Sequence, residues 1–370
     1  PAVTGAWQHR GGGALYSNGA GLYNLDFTLT MGLDCVDKSV RVLDQSRIGP
    51  VLTGDPSDLG DGPPVTGLFI QNTNPMNVAP EQLKVRAGFA RDDLFACVHE
   101  QFLTETAEMA DIVLPATTFL EHDDMYIAGG HTYFQVAKRV IEPVGESRPN
   151  HWVHCELAKR LGAEHRGFQM SEWELMDETL RASGYPDAET IWRGHWENRA
   201  LPFEEAHYLD GFAHADGKFH FRPDWSTLGP LHEAMPDLPD HFGVIDRTSA
   251  EHPYRLVTAP SRNYLNTSFA ETKTSIAKEG RPEAKIHPDI CAELGLMAGG
   301  LVRLGNEQAS VAIHVCPFDG VQLHTVIVEG IWPNKAFVEG IGINALVSAD
   351  RGRPNGGAVF HDTAVWMRPT

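Results

Sequence analysis

The stretch Val65-Thr-Gly-Leu-Phe-Ile-Gln-Asn-Thr-Asn-Pro-Met-Asn-Val-Ala-Pro-Glu-Gln-Leu83 decides the fold. An apolar run, Leu68 to Ile70, opens directly into the polar loop Gln71–Asn74. Pro75 stiffens that loop, and a helix-like segment follows. A buried parallel strand that delivers polar groups at its carboxyl end has this form. In open α/β sheets ligands bind at that edge.

Working outward, a strand is expected over 66–70. Pro80 suits the first turn of a helix that continues through EQLKVRAGF. LFACVH, 94–99, reads as a second strand, 102–110 as a short helix, and 111–115 as a third strand. Strands alternating with short helices predict a parallel α/β sheet. The polar clusters Asn72–Asn74 and His99–Thr106 then fall at the same sheet edge.

The chain has 370 residues, which implies two or three domains. The net charge of −19 argues against nucleic acid as a partner, because phosphate contacts need clustered Lys and Arg. No apolar run approaches the length of a membrane span. The start, PAVTGAWQHRGGG, has no signal-peptide pattern and no initiator Met, so the chain reads as a piece of a longer protein. The cysteines Cys35, Cys97, Cys155, Cys291 and Cys316 are scattered without a CxxC pair. That spacing points to a reducing, cytoplasmic setting and away from a Cys-ligated zinc or Fe–S site in these residues.

Other motifs admit two readings. Gly11–Gly13 with Gly19 and Gly21 suggests a phosphate loop, but no strand precedes it and the G-x-G-x-x-G spacing fails. An irregular packing segment is the other reading. Asp55, Asp58 and Asp61 are either calcium ligands at non-EF-hand spacing or a solvated loop. Glu121–Asp124, His131, and the His151/His154 pair suggest metal ligands or ordinary loop and helix residues. Gly162 and Gly295 suit helix ends after 151–161 and 288–294. Residues 166–250 read as an irregular, mostly helical insertion anchored by Trp173, Trp192, Trp196 and Trp225, with a linker over 229–243. From Tyr254 onward, short strands with one inserted helix suggest a compact barrel.

Three blocks now carry a family resemblance. LFIQNTNPMNVAP resembles a strand followed by a G-x-N-P loop. HEQFLTETAEMADIVLPATTFLEHDD is similar to a TETaxxADivLP block. The tail, from YRLVTAPSRNYLNTSF through IHPDICAELGLMAGGLVRL to INALVSADRGRPNGGAVFHDT, resembles a C-terminal double-psi β-barrel. These belong to the molybdopterin guanine dinucleotide oxidoreductases, the DMSO reductase family with its formate dehydrogenases and nitrate reductases. The opening TGAWQHRGGG is also similar to an element of that family.

The resemblance implies a serial architecture. Residues 1–165 would be the second half of an α/β cofactor domain, 166–250 an insertion and linker, and 251–370 a β-barrel dinucleotide-binding cap. It implies two molybdopterin guanine dinucleotides on one molybdenum or tungsten, shared with upstream residues that would also carry any Fe–S cluster. Carried over by motif, Asn72, Thr73, Asn74 and Pro75 would line one dinucleotide, with Thr104, Glu105 and Asp111 nearby. In the cap, Thr258, Arg262 and Asn266 would reach a pterin or its phosphates, with His287, Asn344 and Asp362 as further candidates. A dinucleotide pyrophosphate suits neutral Asn and Thr donors and an Arg fork. Thr104 and Glu105 equally fit a helix cap.

The implied function is two-electron oxidation or oxo transfer on a small substrate, with an electron-transfer partner. Residues 1–370 alone would be incomplete and inactive, since no metal ligand lies in them. The alternative is a non-catalytic scaffold subunit of an electron-transfer complex that has lost the pterin. The stretch Met125–His131 departs from the formate-dehydrogenase pattern, which weakens formate as a substrate.

Overall fold

The computed structural model describes residues 1–14, 23–238, 240, 246–270 and 272–370. Gly19 and Gly21 of the glycine-rich reading lie outside them. The chain forms two compact units, each discontinuous in sequence. One comprises Pro1–Arg41 with Pro115–Phe221, the other Val42–Leu114 with Arg222–Thr370. This partition cuts across the serial division at 165 and 250 expected from the sequence. The reason is that Pro115–Phe221 builds a core of its own with Tyr23.

The second unit begins with three parallel strands in the order β1 (Gly67–Gln71), β2 (Phe95–Glu100) and β3 (Ile112–Pro115). β1 and β2 run in register, Phe69 opposite Cys97 and Gln71 opposite His99. The intervening helix is Gln82–Phe89. It starts after Pro80, because Glu81 takes a left-handed φ of 48° and ties its N–H to Val347 O. Ile70, Ala96 and Val98 pack against Leu52, Val85 and Phe89.

The first unit carries a small antiparallel sheet, β4 (Asp124–Tyr126), β5 (Tyr133–Ala137) and β6 (Glu197–Asn198). Phe134 and Val136 of β5 meet Leu180 and Ile191 from the helices Glu172–Ala182 and Ala188–Gly194. The first of these helices opens with a reciprocal Ser171–Glu174 capping box. The helix Asn150–Leu161 ends, as its sequence suggests, at Gly162 with φ 70°.

The strands β7 (Tyr254–Ala259), β8 (Glu283–Ile286), β9 (Leu301–Gly305), β10 (Ser310–Pro317), β11 (Thr325–Glu329) and β12 (His361–Pro369) close into a barrel in the order β10-β8-β11-β7-β12-β9. The pairs β7–β11 and β8–β10 are parallel, and the other neighbours are antiparallel. Closure leaves no free strand edge. Leu256, Val302, Leu304 and Val328 fill the interior. The helix Pro288–Leu294 lies between β8 and β9 and ends at Gly295, φ 67°.

Among the described residues no helix is long and apolar enough to cross a membrane. Asp58 is held between Arg47 and Arg351, and Asp55 caps the helix Pro56–Leu59 through Ser57 N. Structural bonds thus engage both of these carboxylates from the calcium reading.

Candidate functional site

The carboxyl ends of β1 and β2 and the end of the barrel formed by β7 and β11 meet within the second unit. Phe102, after β2, and Phe269, in the segment after β7, lie edge to face with ring centroids 6.4 Å apart. Beside them Glu105 reaches the segment after β11. Asn334 N and Nδ2 donate to its Oε2 at 3.1 and 2.6 Å, and Lys335 N donates to its Oε1 at 3.0 Å. Asn77 Nδ2 also donates to Oε2, at 2.9 Å.

A buried polar network supports this junction. Thr106 Oγ1 donates to Asn74 Oδ1 at 2.5 Å and accepts from Met76 N. Asn334 Nδ2 also donates to Met76 O, and its Oδ1 accepts from Gly342 N. Asn344 Nδ2 reaches Asn77 O and Val78 O, while Gln82 Nε2 donates to Asn77 O. Such a network holds the loop geometry because each unmade bond inside it leaves a desolvated polar group.

The thirteen residues named from the sequence therefore divide. Asn72, Thr73, Arg262 and Asn266 are exposed. Asn72 and Asn266 take left-handed φ values of 57° and 49°, a conformation asparagine adopts more readily than most residues. No ion pair holds Arg262 among the described residues. Asn74 and Pro75 are buried beneath the loop, with Pro75 at the first position of the helix Pro75–Val78. Thr104 caps the helix Glu105–Glu108 through Ala107 N. Asp111 accepts from Ala96 N, and its own N–H donates to Ala96 O. Thr258 donates to Phe360 O, and Asn344 is buried in the network.

Three candidates lie away from this edge. Asp111 precedes β3 and bonds Ala96 near the start of β2, at the amino end of the parallel sheet and not beside Asn72–Pro75. His287 follows β8 level with Thr325, at the opposite end of the barrel from Arg262. There it caps the helix Pro288–Leu294 and lines a cavity of about 590 Å³ with Arg255 and His324. Asp362 sits at a bulge of β12 and pairs with Arg255 on the outer wall. Asn77, Gln82 and Asn334 went unnoticed in the sequence. Their only local signal is a proline nearby, in Asn74-Pro75-Met76-Asn77, Pro80-Glu81-Gln82 and Pro333-Asn334.

Tyr264, between Arg262 and Asn266, is buried against Trp332. Burial pushes its phenol far above the usual tyrosine range, so it remains a neutral O–H. In the first unit Asp34, Cys35 and His165 bring ligand atoms within 4.8 Å of one another. Nδ1 of His165 accepts from Gly167 N, which puts the proton on Nε2, 3.3 Å from Asp34. The nitrogen facing the carboxylate is thus a donor and not a ligand. His151 is similarly engaged, with Nε2 at 2.8 Å from Met170 O.

Comparison with known proteins gives the site its context. Residues 60–160 match the family model of molybdopterin oxidoreductases, and 254–364 match that of the molydopterin dinucleotide binding domain. The chain is 32% identical to the probable oxidoreductase YoaE of Bacillus subtilis, over 97% of this chain and 52% of that protein. It is 26% identical to trimethylamine-N-oxide reductase of Haemophilus influenzae, over 75% of this chain and 37% of that one. The fold resembles acetylene hydratase from Pelobacter acetylenicus, TM-score 0.70 at 18% identity, over 87% of this chain and 46% of that one. The chain spans about half the length of the curated relatives it matches.

The exposed donors fit a pterin dinucleotide. Its diphosphate is matched by amide and hydroxyl donors with one guanidinium fork, which is the set Asn72, Thr73, Asn266 and Arg262. Glu105 does not crowd that set with negative charge, because its carboxylate is turned into the junction, and Asp111 lies at the amino end of the sheet. The chain belongs to the molybdopterin oxidoreductase family.

Proposed function

We propose that residues 1–370 hold one side of a molybdopterin guanine dinucleotide within a molybdenum or tungsten oxidoreductase acting on a small substrate. The observation that carries this reading is the donor set Asn72, Thr73, Arg262 and Asn266, exposed on two loops that the Phe102–Phe269 contact brings to one edge. When bound, the group supplies a metal centre suited to two-electron oxidation or oxygen-atom transfer.

The chain's own residues bind and orient. Arg262 offers a planar fork to a phosphate, and Asn72 and Asn266 offer amides from left-handed loop positions. Glu105 and Asn334 keep the sheet loop and the barrel loop at a fixed separation. A second dinucleotide, the metal's protein ligand, any Fe–S cluster and the electron-transfer partner are assigned to polypeptide outside these residues. The setting is cytoplasmic.

The test is elemental and nucleotide analysis of the protein isolated at the length its cell makes. Molybdenum or tungsten is expected together with guanine nucleotide released by acid. Protein carrying neither supports the scaffold alternative and overturns this reading.

A further inference from the structure

The barrel end opposite Arg262 brings three basic side chains to one place. The parallel β7–β11 register sets Arg255 level with Thr325, and Arg255 N donates to His324 O at 2.8 Å. The antiparallel β8–β11 register, with Ile327 opposite Lys285, puts His287 beside the same turn. Arg255, His287 and His324 thus reach a cavity of about 590 Å³ from three separate segments. Thr248 and Thr325 add neutral polar groups to its wall.

Each basic side chain keeps a donor for a ligand. Asp289 N donates to His287 Nδ1 at 3.2 Å, so the proton of the neutral ring sits on Nε2, which has no partner among the described residues. Asp362 takes only Nη1 of Arg255, and Nε and Nη2 of the fork are unengaged among these residues. The His324 ring packs against Tyr254, with centroids 6.0 Å apart and neither nitrogen bonded among the described residues. Asp289 and Asp362 attend these groups from outside, and no carboxylate is among the residues that line the cavity. In a chain of net charge −19, this is a place where an anion escapes the general repulsion.

We propose that this cavity binds the phosphate group of a small molecule, at the end of the barrel away from Arg262. A phosphate suits a guanidinium fork joined by imidazole and hydroxyl donors. The volume exceeds what a phosphate alone fills, and Pro253 and Leu323 give the cavity an apolar side for a carbon skeleton. The site goes beyond the cofactor reading and stands whether or not the chain holds a pterin.

Isothermal titration calorimetry of the natural-length protein with inorganic phosphate tests this, at an ionic strength matched with sodium chloride. Saturable binding is expected. His287→Asn keeps an acceptor that caps the helix and removes the Nε2 donor, and His324→Ala removes an exposed ring. Each should weaken phosphate at least about five-fold and leave the melting temperature without phosphate unchanged. Absence of saturable binding overturns the proposal. So does an affinity unmoved in the double variant, which would put the phosphate elsewhere. Phenyl phosphate is the second titrant: tighter binding than inorganic phosphate assigns the site to a phosphate ester, and equal or weaker binding assigns it to free phosphate. Guanine nucleotide measured on the same samples should be equal in parent and variants. A parallel loss of nucleotide and of phosphate affinity would move the phosphate to the dinucleotide edge and also overturns the proposal.

Discussion

Glu105 and Asn334 are joined twice: the backbone N and the side-chain Nδ2 of Asn334 both donate to Glu105 Oε2. With Lys335 N and Asn77 Nδ2, one carboxylate gathers four N–H donors from both sides of the junction. Hydrogen bonds to a charged group are stronger than neutral ones, and orphaned donors are costly. Glu105→Ala is expected to destabilise this unit by about 2–4 kcal/mol. Glu105→Gln should lose less, because its carbonyl oxygen still accepts while its amide faces other donors. Chemical denaturation monitored at Trp332 checks both. An unchanged midpoint for Glu105→Ala would show that the bracket is not structural.

Gly330 follows β11 with φ 82°, and a Cβ there would lie 2.0 Å from Tyr264 Oη. Left-handed strain and a clash with a buried ring then add. Gly330→Ala is expected to cost at least about 2 kcal/mol. Thermal melts read the loss. Tyr264→Phe, which removes only the hydroxyl, should stay within about 1 kcal/mol of the parent.

The sheet and most of the barrel were legible because local pattern carries them. Unbroken apolar runs gave β1 to β3, and YRLVTA and LVRLG gave β7 and β9 with the observed limits. The strand β8, Glu-Ala-Lys-Ile, was missed because it is short and half charged, and only barrel closure buries Ala284 and Ile286. The junction was illegible for a different reason. Glu105 meets Asn334 across 229 positions of sequence, so no spacing rule connects them. The same non-local pairing separates His287 from Arg262. Sequence places both near the barrel, while the parallel β7–β11 pairing decides which end each one occupies.

His122 in the first unit titrates above its ordinary value because Asp124, 3.6 Å away, favours the imidazolium. Its folded pKa exceeds its unfolded one, so the stabilisation is complete below about pH 6.5 and is lost as pH rises through the folded value. Glu172, whose carboxyl burial pushes up, acts with the same sign. The Asp124 side chain is 44% exposed, which limits the His122 contribution to under about 1 kcal/mol. NMR titration of the His122 ring protons should give a midpoint above 6.5, moved down by Asp124→Asn. A midpoint unmoved by that substitution would assign the shift to another group.

Arg262 separates binding from stability. It is exposed and carries no ion pair among the described residues, so Arg262→Ala should leave unfolding unchanged within about 0.5 kcal/mol. If its fork holds a phosphate, the natural-length variant retains several-fold less guanine nucleotide per mole of protein. Arg262→Lys keeps the charge without the planar fork and should fall between the two. Asn72 offers the complementary control on the sheet side. Asn72→Gly fits the left-handed backbone, whereas Asn72→Val is strained by about 1–2 kcal/mol. Nucleotide retention in Asn72→Gly then reports the side chain alone. Full retention in both Arg262→Ala and Asn72→Gly would move the dinucleotide away from this edge.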